Sequence, residues 1–379
     1  MDVEAKLPWE LVNLGDHVSA KSGGTPLTSV KSYYGKGHLW VSISDISNSG
    51  KYITNTEKQI TDTGLSNSSA VLYEPNTLLL AMYASIGKLA IAKESVSSSQ
   101  AILGIKCKDS LELEYLYYIL EYFKPKLTSS GQQGTQSNLN SQIVKKFSIP
   151  LPDNHEQKAI AEALGDIDEL ILNTRNLIEK LKNTKVSVCR PLVLGKKRLE
   201  GFIGRWEEKT LSDLLKYEQP TKYLVNTTQH LESGLVPVLT AGKSFLLGYT
   251  NDTHGVYDST PTILFDDFTT AQKYVDFPFK VKSSACKMLT LINPKHSLRF
   301  LSELMSNIEF LPYDHKRYWI SEYSKIRVMI PNGDEQNAIA QVVSDFDFQI
   351  ETLTTELEKY EWLKQGMMND LLTGKVRLV

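Results

Sequence analysis

The chain states one stretch twice. Pro152-Asp-Asn-His-Glu-Gln-Lys-Ala-Ile-Ala161 returns as Pro331-Asn-Gly-Asp-Glu-Gln-Asn-Ala-Ile-Ala340, and Glu156 with Glu335, Gly195 with Gly374, and Arg198 with Arg377 all keep a separation of 179 residues. Aligned without a gap, 152–199 and 331–378 share 17 identities in 48 positions, where unrelated stretches of average composition share about 3. A period of this length makes the chain one module used twice.

Each copy reads as a helix. Pro152 and Pro331 stop a preceding strand, and Asp153 with Glu156, like Asn332 with Glu335, has capping-box spacing. That spacing makes the Glu-Gln pair a cap rather than a catalytic group. Apolar residues then follow at an average step of 3.5, the condition for a narrow coiled-coil seam. The first seam is Ile160, Leu164, Ile167, Ile171, Thr174, Ile178, Leu181, Lys185 and Val188; the second is Ile339, Val343, Phe346, Ile350, Leu353, Leu357, Tyr360, Lys364 and Met367. Lys185 and Lys364 lie on the seam, where a long side chain can snorkel. Gly195 and Gly374 read as C-terminal residues, and Pro191 is expected to end the first helix somewhat earlier than the second. Each helix is then about 35 residues, roughly 50 Å at 1.5 Å per residue.

Two such stripes in one chain bury each other most simply as an intramolecular antiparallel coiled coil, since the partner in the same chain has the higher effective concentration. A homodimeric coiled coil is the competing arrangement. The fold class expected is α+β, with two mainly-β globular domains joined by two long helices about a pseudo-two-fold axis. Its boundaries are a first domain at 1–152, a central helix at 153–194, a second domain at 195–331 and a C-terminal helix at 332–379. Leu7-Pro-Trp-Glu and Arg205-Trp-Glu-Glu echo each other at a different offset, so the first insert carries 18 more residues than the second. The frame repeats while the inserts diverge.

A length of 379 residues calls for two or three domains, and 41% hydrophobic with 23% charged residues is ordinary for a soluble protein. The formal charge of −2 advertises no general affinity for nucleic acid, so any such binding needs local patches. Cys107, Cys189 and Cys286 are scattered and read as reduced cytoplasmic thiols. The first residues show no signal peptide, and Thr77–Ala92 is too interrupted to span a bilayer.

Strand candidates in the first insert are 39–43, 77–83, 89–92 and 101–105; in the second they are 236–240, 262–265 and 288–292, bounded by turn residues. Helix composition marks 112–123 and 298–307. Val96-Ser-Ser-Ser-Gln-Ala and Val281-Lys-Ser-Ser-Ala-Cys correspond, each just before an apolar strand. The polar, Gly-punctuated stretch 127–140 reads either as a solvated loop or as a recognition loop, since Gln and Asn can bond an adenine edge. The equivalent place in the second insert, Asp314-His-Lys-Arg-Tyr-Trp-Ile320, mixes basic and aromatic residues suited to phosphate and base contacts; a basic loop over a buried Trp is the alternative.

No enzyme constellation survives inspection. Gly242-Lys243-Ser244 lacks the leading Gly of a phosphate-binding loop, with Pro237 in its place, and Gly87-Lys88 is followed by Leu89. Asp153, Glu156 and Lys158 crowd one helical turn, and the second copy puts Asn337 where Lys158 stands. The histidines lack metal-ligand spacing, and no glycine fingerprint marks a nucleotide or methyl-donor site.

Several phrases together resemble a family: Ile149-Pro-Leu-Pro followed by Glu156-Gln-Lys-Ala-Ile-Ala, Ser22-Gly-Gly-Thr-Pro26, Gly134-Thr-Gln-Ser-Asn-Leu139, and the ending Leu371-Leu-Thr-Gly-Lys-Val-Arg377. Duplicated and in this order, they are similar to the specificity (S) subunit of type I restriction–modification systems over nearly the whole chain. The ending departs mildly in its central copy, Val193-Leu-Gly195. The resemblance implies a non-catalytic reader of double-stranded DNA whose two target-recognition domains each dock on half of a bipartite site, with the helices as a ruler. A rod of roughly 50 Å would set the half-sites more than one duplex turn apart. It implies two modification (M) subunits that bind S-adenosylmethionine and methylate adenine at N6, and restriction (R) subunits that use ATP and Mg. No cofactor is expected in this chain itself.

Candidate DNA contacts are Lys21, Ser22, Thr25, Tyr83, Ser85, Lys88, Gln132, Gln133, Thr135, Gln136 and Asn138 in the first insert. In the second they are Thr240, Lys243, Ser244, Lys273, His315, Lys316, Arg317 and Tyr318. Helix pairing is assigned to Ile160, Leu164, Ile167, Ile171, Ile178 and Leu181 with Ile339, Val343, Phe346, Ile350, Leu353 and Leu357. Two rivals stay open: a specificity subunit of a related type II or methylation-only system, and a coiled-coil scaffold whose inserts bind protein or carbohydrate.

Overall fold

The two duplicated stretches form helices of equal length, Asn154–Val193 and Gly333–Leu372, each of 40 residues, in the computed structural model, which describes residues 8–129, 138–225, 230–242, 244–314 and 316–378. Each follows a short strand, Ser148–Leu151 or Arg327–Ile330. Both helices are longer than periodicity indicates, and Pro191 does not shorten the first. It stands in the last turn, where the bond it forfeits is one of few remaining. The turn is closed from Leu194 N to Arg190 O (3.1 Å) and from Lys196 N to Pro191 O (2.8 Å). Gly195 and Gly374 follow at φ +66° and +69°, the left-handed end that glycine adopts without strain.

The capping box is only half made. Asp153 and Asn332 accept from the backbone N–H of Glu156 and Glu335 at 2.9 and 3.0 Å, but neither glutamate returns to its cap. Glu156 accepts from Arg377 and from the Trp9 indole (3.0 Å), and Glu335 accepts from Arg198. A guanidinium offers a buried carboxylate more than a backbone amide does, because it neutralises the charge as well as bonding it. The neighbouring glutamines clamp the loop before a shorter helix. Gln157 Oε1 accepts from Glu112 N (2.8 Å) and its Nε2 donates to Pro152 O (2.9 Å). Gln336 Oε1 accepts from Ser297 N (3.0 Å) and its Nε2 donates to Pro331 O (2.8 Å).

The chain divides into two units, and each takes part of both long helices. The first holds the described residues up to Thr174 and those from Glu356 on; the second is Arg175–Thr355. In the first, a five-stranded sheet runs Val18–Ser22, Ile102–Cys107, Thr77–Ala81, Leu89–Ala92, Tyr52–Ile53, and a three-stranded sheet runs Lys58–Ile60, Tyr34–Val41, Val96–Ser98. The strand expected at 39–43 ends at Val41, because Ser42 caps a new helix, accepting from Asp45 N while Asp45 accepts from Ser42 N. The helix Leu113–Tyr122 packs its buried Tyr115, Leu116 and Ile119 on a core that also takes Ile160 and Leu164 from the central helix and Met368, Leu371 and Leu372 from the C-terminal one.

The second unit repeats this plan. Its four-stranded sheet runs Leu215–Glu218, Cys286–Leu291, Thr262–Asp266, Gln272–Val275, and its three-stranded sheet Leu246–Thr250, Val236–Leu239, Lys280–Val281. Its core joins the helix Leu298–Ser306 to Leu192 and Val193 of one long helix and Ile339 and Ala340 of the other. The first unit differs by the added edge strand Tyr52–Ile53, pairing parallel with Leu89–Ala92.

Within each unit the two helix segments run antiparallel, and a seam ion pair marks the register. In the first, Lys364 meets Asp168 at 2.9 Å and Glu121 of the shorter helix at 3.5 Å. In the second, Lys185 meets Asp347 at 2.7 Å and Glu303 at 3.8 Å. These lysines do not simply snorkel to water; they are tied to carboxylates. Ile160, Leu164, Ile167, Ile171, Ile178, Ile339 and Val343 are buried, whereas Leu181, Phe346, Ile350, Leu353 and Leu357 are half-buried. Val188 is exposed and Cys189 is buried in its stead, as Met368 is rather than Met367. A 3.6-residue helix drifts against a 3.5-residue pattern, and by the far end the stripe has moved one position.

Candidate nucleic-acid interface

In the second unit the strand Thr262–Asp266 runs into a turn at Asp267-Phe268-Thr269-Thr270 before Gln272–Val275. Asp266 holds the turn: its Oδ1 accepts from Phe268 N (3.0 Å), Thr269 N (2.8 Å) and Thr269 Oγ1 (3.0 Å). Asp267 turns inward and is fully buried. Its Oδ2 lies 3.0 Å from Lys287 Nζ, and its Oδ1 accepts from Trp319 N at 2.8 Å, while its carbonyl accepts from Tyr318 N at 2.8 Å. Two charges are affordable here because each answers the other. The result pins Tyr318 and Trp319 of the basic-aromatic segment beside the turn.

That segment is less open than its composition indicates. Tyr318 is wholly buried; its hydroxyl accepts from Tyr313 N (2.8 Å) and Asp314 N. It is withdrawn from the candidate contacts, because a core ring with a satisfied hydroxyl has nothing left to offer a base. Trp319 is buried against Phe265 and Tyr323. Lys316 pairs with Glu322 and donates to Tyr313 Oη at 2.7 Å. These partners push its pKa upward and hold that of Glu322 below the usual carboxylate range. Arg317 is exposed, as are Lys273 and Ser244; Thr240 is half-buried. Lys243 and His315 lie outside the described residues.

The first unit builds the same corner from different residues. Met82 follows Thr77–Ala81, its carbonyl accepting from Leu139 N at 3.0 Å. Tyr83, Ala84 and Ser85 are exposed, Lys88 half-buried, and Ser85 takes φ +59°, as Thr270 does in the second unit. Where the second unit has Asp267 and Lys287, this one has the buried apolar Met82 and Leu103, whose strand partners correspond (Leu80 with Leu103, Phe265 with Lys287). Asn138 is half-buried, and Gln132, Gln133, Thr135 and Gln136 lie outside the described residues.

Lys21 and Ser22 sit on the strand Val18–Ser22 rather than in a loop. The glycines that follow are needed for packing: a Cβ on Gly24 would come within 2.4 Å of the Ser69 backbone, while Trp40 Nε1 donates to Gly24 O at 3.1 Å. Thr25 is half-buried beyond them.

Sequence reasoning missed Phe268, Asp267 and Lys287, which carry no local signal. It saw Arg198 and Arg377 as repeated positions without a role; their recurrence far from any seam was the available clue. Among the described residues no group of His, Cys, Asp or Glu could hold a metal ion, and no helix there is long and apolar enough to cross a membrane.

Comparison with known proteins gives concordant findings. The family model described as the type I restriction modification DNA specificity domain matches residues 6–183 and again 204–361. The specificity subunit of the type I restriction enzyme EcoR124I/EcoR124II of Escherichia coli is 44% identical over 189 residues, 46% of this chain and 46% of that one, so the match spans about half of that relative's length. The MjaVIII specificity subunit of Methanocaldococcus jannaschii is 25% identical over 411 aligned positions, covering 98% of this chain and 93% of its own. The crystal structure of the type I restriction–modification S subunit from M. genitalium has the same fold, with a TM-score of 0.66 at 19% identity and 98% coverage of both chains.

Proposed function

The chain belongs to the type I restriction modification DNA specificity family, and from that premise we propose that it is the non-catalytic subunit that reads a bipartite DNA sequence. In this reading residues 1–152 and 195–331 are the two target-recognition domains, and 153–194 and 332–379 are the helical frame that fixes their separation. Two M subunits, supplying S-adenosylmethionine, methylate adenine at N6 in the sequence so chosen. R subunits with ATP and Mg act on the same choice, and the assembly works in the cytoplasm.

One observation carries this reading: two units with one strand plan and one repeated helical frame build the same corner from different residues, over the buried pair Asp267 and Lys287 in one case and over buried Met82 and Leu103 in the other. A frame under one constraint with two differing heads suits a device that reads two different half-sites. The near-neutral charge fits a reader that neutralises few phosphates itself and depends on its partners for affinity. Methylome sequencing of a strain given this gene with its cognate M gene is the test. A new asymmetric bipartite methylated motif is expected, and exchange of residues 7–152 should alter one half of it only. Absence of any new motif overturns the reading.

A further inference from the structure

We propose that Phe268 and Tyr83 are the apolar base-reading side chains of the two heads, each set against the C5-methyl group of a thymine in the major groove. The inference rests on the DNA-reading role above and deepens it.

Both rings stand at the same point of the shared plan, one residue beyond the buried residue whose carbonyl receives the neighbouring segment, Leu139 N on Met82 O and Tyr318 N on Asp267 O. Both are left open, Phe268 at 42% and Tyr83 at 41% of full exposure. The heads have diverged in nearly every loop, yet each spends a large aromatic on solvent here. Such a ring in water forfeits its burial energy unless something covers it.

The turn beneath Phe268 is also stiff. Asp266 Oδ1 fastens three donors of the turn, and buried Asp267, paired to Lys287, fastens the segment alongside. A ring held this way loses little conformational freedom on contact. The occupant is indicated by charge: exposed Arg317 follows on the fastened segment and exposed Lys273 on the next strand, with Lys88 behind Tyr83. An exposed ring on a turn whose adjoining segments carry cations suits a polyanion carrying an apolar group. In a stacked duplex only edges face the major groove, and the apolar group displayed there is the thymine methyl.

The test uses the complex of this chain with its M subunits on duplexes carrying the methylated motif, with each thymine replaced in turn by deoxyuridine. For the unaltered complex, removing one such methyl should cost about four-fold in affinity, the worth of one buried methyl group. Phe268→Ala should weaken binding to the all-thymine duplex and abolish the thymine–uracil difference at one position, with Phe268→Leu keeping part of it. Tyr83→Ala should do the same at a thymine in the other half of the motif. Both side chains are at the surface, and circular dichroism with co-purification of the M subunits verifies folding. If a motif is methylated but both alanine variants discriminate thymine from uracil as the unaltered complex does, this inference fails while the DNA-reading role stands. If no motif appears, the role itself fails.

Discussion

Arg377 donates to the buried carboxylate of Glu156, and the same clasp recurs as Arg198 on Glu335. Each arginine follows one long helix and grips the first turn of the other. An indole completes each clasp, with the guanidinium carbon 5.5 Å from the Trp9 ring and 5.7 Å from the Trp206 ring. The copies differ at the indole: Trp9 Nε1 donates to Glu156 at 3.0 Å, whereas Trp206 Nε1 is buried without a partner.

Removing the arginine leaves the buried glutamate bonded to the Trp9 indole but without its counter-charge. Arg377→Ala should therefore lower the melting temperature of the first unit. Adding Glu156→Gln to that variant should recover much of the loss, because no charge is then stranded. Thermal denaturation of the two variants measures the difference; equal melting temperatures would refute a role for the charge.

The seam lysines are expected to tolerate reversal poorly. Lys364→Glu places a third carboxylate beside Asp168 and Glu121, and should cost about 2 kcal/mol. Combination with Asp168→Lys restores opposite charges and should return most of that stability in urea unfolding. The corresponding exchange of Lys185 and Asp347 should recover less, because Arg299, which also pairs with Asp347, would then face a lysine.

Lys287→Met strands Asp267 in the core and should destabilise the second unit by about 3–5 kcal/mol. The double variant Asp267→Met with Lys287→Leu copies the apolar pair Met82 and Leu103 of the first unit. It should regain most of that stability, less the bond to Trp319 N. Chemical denaturation of both variants is the measurement.

Arg317 and Lys316 should separate in their effect on DNA. The complex carrying Arg317→Ala should show a salt dependence lower by about one counterion. Lys316→Ala should change it less, since Glu322 already neutralises that charge. Affinity measured across a salt series distinguishes them.

Burial and the neighbouring Lys295 lower the pKa of His296 from its ordinary 6.5. The unfolded chain thus binds a proton before the folded one does, so this contribution to stability is intact above about pH 6.5 and is lost as pH falls through the window beneath it. His296→Asn should flatten the slope of melting temperature against pH in that window. An unchanged slope would show that other groups set it.

Sequence alone determined the features that neighbours along the chain enforce. The repeat, the two helices, their seam and the glycine ends follow from spacing and from conformational preferences confined to a few residues. Most strand cores followed likewise from apolar runs between turn residues. What tertiary structure decided are the pairings made at a distance: Glu156 with Arg377 across 221 residues, Glu335 with Arg198 across 137, and Asp267 with Lys287. It also decided that Tyr318, polar and aromatic in a basic stretch, faces the core while Phe268 faces water. A side chain's local pattern cannot tell which of these will happen, because burial depends on what the rest of the fold brings to that point.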